Sequence, residues 1–189
     1  MTGGLVLAAG GARRFGSPKQ LAELDGVPLL QHAVDAMLAV PALDRVVVVL
    51  GAAAAHVAKA VRFASAEAVV CEGWAAGMAA SLRCGVEALG DADWAVVTLG
   101  DQPGITPEAI EAVLAETGPD VEAVRAVYGG QPGHPVALSR ALLARVGGLR
   151  GDVGARDLLA GAAVRSVEAL HLARPDDVDT PDELEAIRA

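Results

Sequence analysis

The sequence predicts a single-domain, three-layer α/β protein, built on a mostly parallel sheet with an antiparallel portion in the C-terminal third. Through the first two thirds, short apolar runs with the length of buried strands alternate with segments of helical periodicity. Further on, the pattern is less regular, and a Gly-Gly turn separates two strand-like segments. With 189 residues, the chain is long enough for one domain with a substantial core.

The first half of the chain supplies the elements of the parallel portion. Residues 5–9 form an apolar run that ends at Gly10 and Gly11, as a central strand does where it reaches the carboxyl edge of a sheet. Pro28 suits the first position of a helix that extends to about Ala39. The sequence predicts further strands at 46–50, 68–71 and 94–99, and further helices at 52–63 and 78–89.

The last third supplies the antiparallel portion and the closing helices. Thr106 followed by Pro107 is typical of a helix N-terminus. Residues 121–128 and 135–138 are predicted to pair antiparallel around the glycine turn. The remaining predicted elements are helices at 139–146 and 155–159, a strand at 164–172, and a terminal helix to Arg188 that Thr180 caps through the sequence T-P-D-E.

Composition and charge exclude several classes of function. The net charge of −9 argues against non-specific binding to nucleic acid or to an anionic membrane. Apolar runs are too short to cross a bilayer and the N-terminus lacks a signal-peptide pattern, so we expect a soluble, cytoplasmic protein. Cys71 and Cys84 have neither metal-site nor redox-motif spacing, and we interpret them as reduced packing residues.

The loop after the first strand, residues 10–19, which we call the glycine loop, has the character of a phosphate-binding site. Its glycines allow backbone N–H groups to face a ligand, and Arg13, Arg14 and Lys19 add positive charge. Two residues too many precede Lys19 for a P-loop, and the glycine spacing does not fit the dinucleotide-binding fingerprint. An ordinary strand-to-helix turn with solvated charges is the alternative. Lys19 is one of only two lysines in the chain, which favours a functional charge.

Two aspartates are candidates for a metal site. Asp101 comes directly after the predicted strand at 94–99, so it belongs on the same sheet edge as the glycine loop. Because proteins usually hold Mg²⁺ with one or two carboxylates plus phosphates and water, we expect a second carboxylate to converge on Asp101. Asp179 is the best candidate in the sequence. Its alternative role is that of an acid favoured by the dipole of the helix that follows.

Three further glycine turns hold polar or flexible residues. In 73–83, Gly77 and Met78 precede a helix that carries Ser81, an arrangement suited to a base and its ribose. The alternative is that these small residues only allow the helix to pack closely on the sheet. The turns GHPV, with His134, and GDVGAR, with Asp152 and Arg156, are more often structural when taken by themselves.

Taken in order, five segments resemble the molybdenum cofactor cytidylyltransferases, a branch of the nucleotidyltransferases that is related to the guanylyltransferases of the same pathway. The segments are LAAGGARRFGSPKQL, EGWAAGMAASLR, GDQPGIT, GHPVAL with GDVGAR, and DVDTPDEL. The resemblance implies a Rossmann-like nucleotidyltransferase fold. The Leu-Ala-Ala-Gly form of the loop goes with CTP in that family. Ala12 and Phe15 depart from the family pattern, which often has Ser and Met at these positions.

The resemblance also implies a role for each candidate residue. The catalytic residues would be Arg14, Lys19 and Asp101, and Mg²⁺, or Mn²⁺ in its place, would be held by Asp101 and Asp179. The acceptor would contact His134, Asp152 and Arg156. The nucleotide would contact Leu7, Ala8, Ala9, Gly10, Gly11, Arg14, Gly16, Lys19, Gly77, Met78 and Ser81.

The expected reaction transfers CMP from CTP to the terminal phosphate of molybdenum-molybdopterin, with release of pyrophosphate. The single domain would span residues 1–189. Residues 1–105 would form its nucleotide-binding half, and residues 106–189 its acceptor-binding half. A molybdenum hydroxylase or its maturation factor is the further partner that the resemblance implies. The alternatives are a nucleotidyltransferase with another triphosphate or another small phosphorylated acceptor, and a non-catalytic carrier of the molybdenum cofactor.

Overall fold

A central sheet of seven strands organises the chain. The computed structural model describes residues 1–11, 15–152 and 154–188. The strands are β1 (Thr2–Ala8), β2 (Glu23–Leu24), β3 (Val27–Pro28), β4 (Arg45–Leu50), β5 (Glu67–Val70), β6 (Trp94–Leu99), β7 (Ala123–Tyr128), β8 (Gln131–Ser139) and β9 (Val164–Glu168). The α-helices are α1 (Leu29–Leu38), α2 (Ala54–Ala60), α3 (Met78–Leu89), α4 (Pro107–Ala115), α5 (Arg140–Arg145), α6 (Ala155–Leu159) and α7 (Pro181–Arg188).

The strand order of the large sheet is β5-β4-β1-β6-β8-β7-β9. β1 lies parallel to both β4 and β6, whereas β8 pairs antiparallel with β6 and with β7. β2 and β3 form a separate two-stranded hairpin. The predicted fold class, mostly parallel with an antiparallel portion in the C-terminal third, is therefore confirmed.

Apolar side chains on the two faces of the sheet form two separate layers of core. One face packs against α1, α2 and α4, and includes Val6, Val48 and Ile110. The other packs against α3, α5 and α6, and includes Leu5 and Leu142. Because both faces of β1 and β4 are covered, these strands consist of nearly continuous apolar residues. None of the helices in the described part of the chain has the length and apolar character needed to cross a bilayer.

Several predicted boundaries were wrong, each for a local reason. β8 begins at Gln131 because Gly129 and Gly130, both with positive φ, form a two-residue hairpin turn. β9 ends at Glu168 because the chain turns there, and the backbone N–H of Leu172 donates to the carbonyl of Ala169. Pro28 belongs to β3 and precedes α1.

The predicted helix at 52–63 is also shorter in the structure, where α2 spans Ala54–Ala60. Val61 already has an extended backbone. Beyond it, the side chain of Gln31 accepts a hydrogen bond from the Arg62 N–H, at 2.8 Å, and donates one to the Arg62 carbonyl, at 3.0 Å. These two bonds hold the chain in its non-helical course after α2.

Gly85 allows α3 to approach the sheet closely. An added Cβ at this position would lie 2.9 Å from Leu5 Cδ2 and 3.0 Å from Val49 Cγ2, and both of these side chains are fully buried. The sheet side chains have no free space into which to move. A glycine is therefore required where α3 crosses β1 and β4.

Gly85→Ala is expected to lower the free energy of unfolding by about 1–3 kcal/mol, because overpacking a closed core displaces its side chains. Urea denaturation of the two proteins measures the difference. The control is Gly118→Ala, where an added Cβ meets no atom within 4 Å. Equal stability of the two variants would contradict the close packing of α3.

Candidate functional site

A pocket of about 580 Å³ opens at the carboxyl ends of β1 and β6, beside the start of α3. Within the sheet, β4 and β5 lie on one side of β1. The chain then returns through α3, and β6 lies on the other side of β1. Such a change of direction leaves a crevice where ligands bind in open α/β sheets. We call this cavity the β1–β6 pocket; it is lined by Leu7, Ala8, Ala9, Gly10, Gly11, Lys19, Gln20, Trp74, Ala75, Gly77, Met78, Ser81, Leu99, Gly100, Asp101, Asp152, Asp177 and Asp179.

Lys19 lies at the centre of the charged part of the pocket. Its Nζ donates to a carboxylate oxygen of Asp101 and, at 2.7 Å, to Asp179 Oδ1. The three side chains are 12%, 20% and 30% exposed. Burial by itself lowers the pKa of Lys19, but the charges and hydrogen bonds of the two aspartates outweigh burial and raise it. Lys19 is therefore a fully charged ammonium that forms ion pairs with two neighbouring carboxylates.

Close contact between β1 and β6 fixes the position of Asp101. The N–H of Gly100 donates to the Leu7 carbonyl at 2.9 Å. A Cβ on Gly100 would lie 2.8 Å from the Cβ of Ala8 and equally close to Leu30 Cδ1. Because only a glycine fits at this point, the residue that follows is held directly beside the end of β1.

Hydrogen bonds to the segment after β6 bring Asp179 into the pocket. The backbone N–H of Val178 donates to the Asp101 carbonyl at 3.0 Å, and that of Arg174 donates to the Gly104 carbonyl at 3.1 Å. Gln102 Nε2 adds a bond to Asp177 Oδ1 at 2.7 Å. Residues 174–178 are thus joined to residues 101–104, and the next residue along the chain is Asp179.

A capping box begins α7 directly after Asp179, as the sequence predicts. The Glu183 carboxylate accepts from the backbone N–H of Asp179 at 2.7 Å and from that of Thr180 at 2.9 Å. In return, Thr180 Oγ1 accepts from the Glu183 N–H at 3.3 Å. The cap holds the backbone of Asp179, so that its carboxylate reaches Lys19.

The two aspartates fit a divalent cation that is shared with a phosphate ligand. Oxygens of Asp101 and Asp179 converge on one atom, Lys19 Nζ. Asp101 Oδ1 is buried and has no hydrogen-bond partner among the described residues. Those residues contain no group of three or more His, Cys, Asp or Glu placed to hold a metal ion. A cation here would therefore need phosphate or water oxygens to complete its ligands, which is usual for Mg²⁺.

The start of α3 and the loop at 151–152 form the opposite wall. Gly77 has φ of +103°, and a Cβ there would lie 2.5 Å from the Gly151 carbonyl oxygen. The N–H of Ala79 donates to that oxygen at 3.1 Å. This contact places Asp152 beside Gly77 and Met78, so residues predicted to bind two different substrates line one cavity.

The structure brings together most of the predicted site residues, but not all of them. Gly16 lines a second cavity, of about 350 Å³, which shares Gly10, Gly11 and Gln20 with the β1–β6 pocket. Arg14 lies outside the described residues. Arg156 is exposed on α6, and of the described residues neither Arg156 nor His134 is among those that line the β1–β6 pocket.

His134 nevertheless lies within the electrostatic range of Asp101. Burial lowers the pKa of His134 to about 4, although the negative charge of Asp101 acts in the opposite direction. The imidazole is partly buried on β8 and is neutral near pH 7. It can therefore donate or accept a hydrogen bond with a ligand without adding a positive charge.

Among the pocket residues that the sequence analysis did not assign to the site, three have polar or aromatic side chains: Gln20, Trp74 and Asp177. Gln20 belongs to the segment LAAGGARRFGSPKQL and Trp74 to the segment EGWAAGMAASLR, and both line the pocket. Trp74 packs against the glycine loop, since a Cβ on Gly11 would lie 3.1 Å from Trp74 Cζ3. Burial and the charge of Asp101 raise the pKa of Asp177. The scarcity of aromatic residues, 3% of the chain, was the available signal for Trp74. Nothing in the local sequence distinguishes Asp177 from its acidic neighbours.

Comparisons with known proteins match nearly the whole chain. A family model described as a MobA-like NTP transferase domain matches residues 4–169. Nicotine blue oxidoreductase of Paenarthrobacter nicotinovorans is 30% identical over 192 residues, which cover 96% of this chain and 93% of that protein. A protein of Pyrococcus horikoshii named as a probable molybdenum cofactor guanylyltransferase is 35% identical over 114 residues, covering 59% and 54% of the two chains.

The fold matches solved structures at a similar level of identity. The crystal structure of Rv0371c from Mycobacterium tuberculosis H37Rv has a TM-score of 0.86 and 32% identity, and covers 99% of this chain and 97% of that chain. A complex of Rv0371c with manganese has a TM-score of 0.83 and 30% identity, with coverage of 98% and 97%. The three-layer α/β arrangement is thus shared with experimentally determined structures.

The neutral state of His134 predicts a loss of stability in acid. The unfolded chain takes up the proton at the ordinary histidine pKa, near 6.5, whereas the folded protein takes it up only near pH 4. Stability therefore falls as the pH is lowered through this window, by about 1–3 kcal/mol. His134→Asn should remove that part of the pH dependence in urea denaturation between pH 7 and 4.5.

The matched control is His171→Asn, which alters an exposed histidine. It should keep the pH dependence of the parent protein. A His134→Asn variant with that same pH dependence, or a His134 ring that titrates near pH 6.5 in NMR spectra, would contradict the assigned environment.

The position of Lys19 predicts competition between its ammonium and a divalent cation. Lys19→Met should bind Mn²⁺ at least about tenfold more tightly than the parent protein without nucleotide, because the two carboxylates lose their resident positive charge. Electron paramagnetic resonance of free Mn²⁺ measures the affinity. Lys59→Met, which removes the same charge from the exposed face of α2, is the control. Equal Mn²⁺ affinity of the two variants would refute the competition.

Proposed function

The chain belongs to the MobA-like NTP transferase domain family, and on this premise we propose that it transfers CMP from CTP to the terminal phosphate of molybdenum-molybdopterin. The products are a cytosine dinucleotide form of the cofactor and pyrophosphate. The observation that carries the proposal is the convergence of Lys19, Asp101 and Asp179 beside the glycine loop, at one sheet edge. That combination suits a metal-bound triphosphate.

The choice of nucleotide and acceptor rests on sequence. The Leu7-Ala8-Ala9-Gly10 form of the loop favours CTP, through the resemblance to the cytidylyltransferases. The P. horikoshii relative supports the molybdenum cofactor as acceptor, although its name states transfer of a guanylyl group. The glycine spacing of the loop gives no support to a dinucleotide cofactor of the kind that many oxidoreductases use.

Different residues of the site are assigned to the phosphates, to the base and ribose, and to the metal. Lys19, with Arg14 five residues before it in the sequence, compensates the phosphate charge, and backbone N–H groups of the glycine loop donate to the nucleotide. Gly77, Met78 and Ser81 provide one wall for the base and ribose. Asp101 and Asp179 would hold Mg²⁺, and the manganese complex of Rv0371c supports Mn²⁺ as a substitute.

The reaction needs charge compensation rather than a general base. An oxygen of the acceptor's terminal phosphate, already an anion, forms a bond to the α-phosphorus of CTP. The bond from that phosphorus to the bridging oxygen breaks, and pyrophosphate leaves with the electron pair. Mg²⁺, when bound, supplies additional positive charge to the phosphate oxygens. Lys19 holds the reacting groups and reduces the repulsion between the two anions, so that catalysis consists of positioning and electrostatic stabilisation.

The acceptor is proposed to enter from the side of Asp152. A carboxylate suits the N–H donors of a pterin ring, and the neutral imidazole of His134 can accept or donate one hydrogen bond. Arg156 is an exposed cation available to a phosphate. In this assignment, residues 1–105 hold the nucleotide and residues 106–189 hold the acceptor. A molybdenum hydroxylase or its maturation factor would receive the product.

The test is an assay of pyrophosphate release with Mg²⁺, which compares CTP, GTP, ATP and UTP with and without molybdenum-loaded molybdopterin. The proposal predicts release that requires both CTP and the pterin. Release with GTP would keep the chemistry and overturn the nucleotide assignment. Pterin binding without any release would favour a carrier, whereas neither binding nor release would point to another phosphorylated acceptor.

Asp101→Asn should lower kcat by about 10²–10³-fold, because it removes a charged ligand of the Mg²⁺ that would neutralise the transferring group. Asp179→Asn should raise the Mg²⁺ concentration needed for half-maximal rate. Asp120→Asn, at an exposed turn, is the charge-matched control and should leave both quantities unchanged. Full activity in Asp101→Asn, or an unaltered Mg²⁺ titration in Asp179→Asn, would contradict these assignments.

A further inference from the structure

Gln20 is a buried polar side chain next to Lys19, with only 3% of its surface exposed. Its Nε2 donates two hydrogen bonds, to the Ala8 carbonyl at 2.9 Å and to the Gly10 carbonyl at 3.0 Å. Ala8 ends β1, and Gly10 begins the glycine loop. One amide group therefore holds the chain on both sides of Ala9, at the point where it enters the pocket.

The two carbonyls determine the orientation of the Gln20 amide. Carbonyl oxygens only accept hydrogen bonds, so the NH₂ group must face them and Oε1 must face away. Oε1 is buried, and no described residue donates to it. The side chain thus keeps both of its donor bonds to the loop while its acceptor is unpartnered within the described ranges. A side chain that served only to fill space would not require a polar group here.

The hydrogen bonds that fix the Ala8 and Gly10 carbonyls also fix the orientation of two backbone N–H groups. In a trans peptide the N–H points opposite to the carbonyl of the same unit. The N–H of Ala9 belongs to the same peptide unit as the Ala8 carbonyl, and the N–H of Gly11 to the same unit as the Gly10 carbonyl. Because both carbonyls are held toward Gln20, both N–H groups are turned to the opposite side of the loop.

We propose that Gln20 is a positioning residue for nucleotide binding, and that it orients the N–H groups of Ala9 and Gly11 as donors to the nucleotide. Both residues line the β1–β6 pocket. The inference rests on the proposed function, since these donors need acceptor atoms of a bound nucleoside triphosphate. Gln20 itself acts through the backbone and does not touch the reacting atoms.

Gln20→Glu tests the role with little change in size. At about pH 8 an ionised carboxylate would face two carbonyl oxygens and repel them, so the Kd and KM for CTP should rise at least about tenfold. Burial beside these oxygens raises the pKa of the introduced carboxyl. At lower pH the protonated group again donates one hydrogen bond, so the Kd ratio of variant to parent protein should fall toward one.

Gln31→Glu is the matched control. Gln31 is also buried, its Nε2 also donates to a backbone carbonyl, and it lies on α1 outside the residues that line the pocket. This variant should lose stability in urea denaturation but keep the CTP affinity of the parent protein within about twofold. Gln20→Met, which removes both donors without adding a charge, should weaken CTP binding at all pH values and show no recovery in acid.

Isothermal titration of Mg²⁺ and CTP into each folded protein gives the Kd, and pyrophosphate release gives KM and kcat. The positioning role predicts weakened CTP binding by both Gln20 variants and recovery at low pH for Gln20→Glu alone. Parent-like affinity in both, or equal losses in Gln20→Glu and Gln31→Glu, would overturn it while the proposed function stands. Absence of nucleotide binding by the parent protein would overturn both.

Discussion

The structure of the site depends on one ammonium group held between two carboxylates. Lys19, Asp101 and Asp179 come from three distant parts of the sequence, and their side chains are mostly buried. Two carboxylates so close together would repel each other without a cation, and removal of one partner from a buried ion pair is strongly destabilising. The loop after β1, the end of β6 and the segment before α7 must therefore meet for the cluster to exist.

Glycines and backbone hydrogen bonds allow these three segments to meet. Gly100 permits the ends of β1 and β6 to approach, and Gly77 does the same for α3 and the loop at 151–152. Bonds between residues 101–104 and 174–178 then carry the chain from the far edge of the sheet back to Lys19. The parts of the fold that define the pocket are thus places where a larger side chain has no space.

Local patterns were enough to predict the sheet, the first loop and the pair of aspartates. Apolar runs and cap residues depend on near neighbours, and the carboxyl ends of parallel strands share one edge, so Asp101 could be placed beside Lys19. The length of β8 and the role of Gln20 depend instead on the partners that the fold brings to them. Asp177 was missed for the same reason, and the motif that contains His134 gives no indication that its side chain is influenced by the charge of Asp101.

The most direct test of nucleotidyl transfer is to follow phosphorus labels from CTP into the products. With CTP labelled at the α-phosphorus and molybdenum-loaded molybdopterin as acceptor, the account predicts that the label enters the pterin product. Label at the γ-phosphorus should appear only in pyrophosphate. Transfer of the γ label to the pterin, or release of the α label as free CMP whether or not the pterin is present, would contradict nucleotidyl transfer at this site.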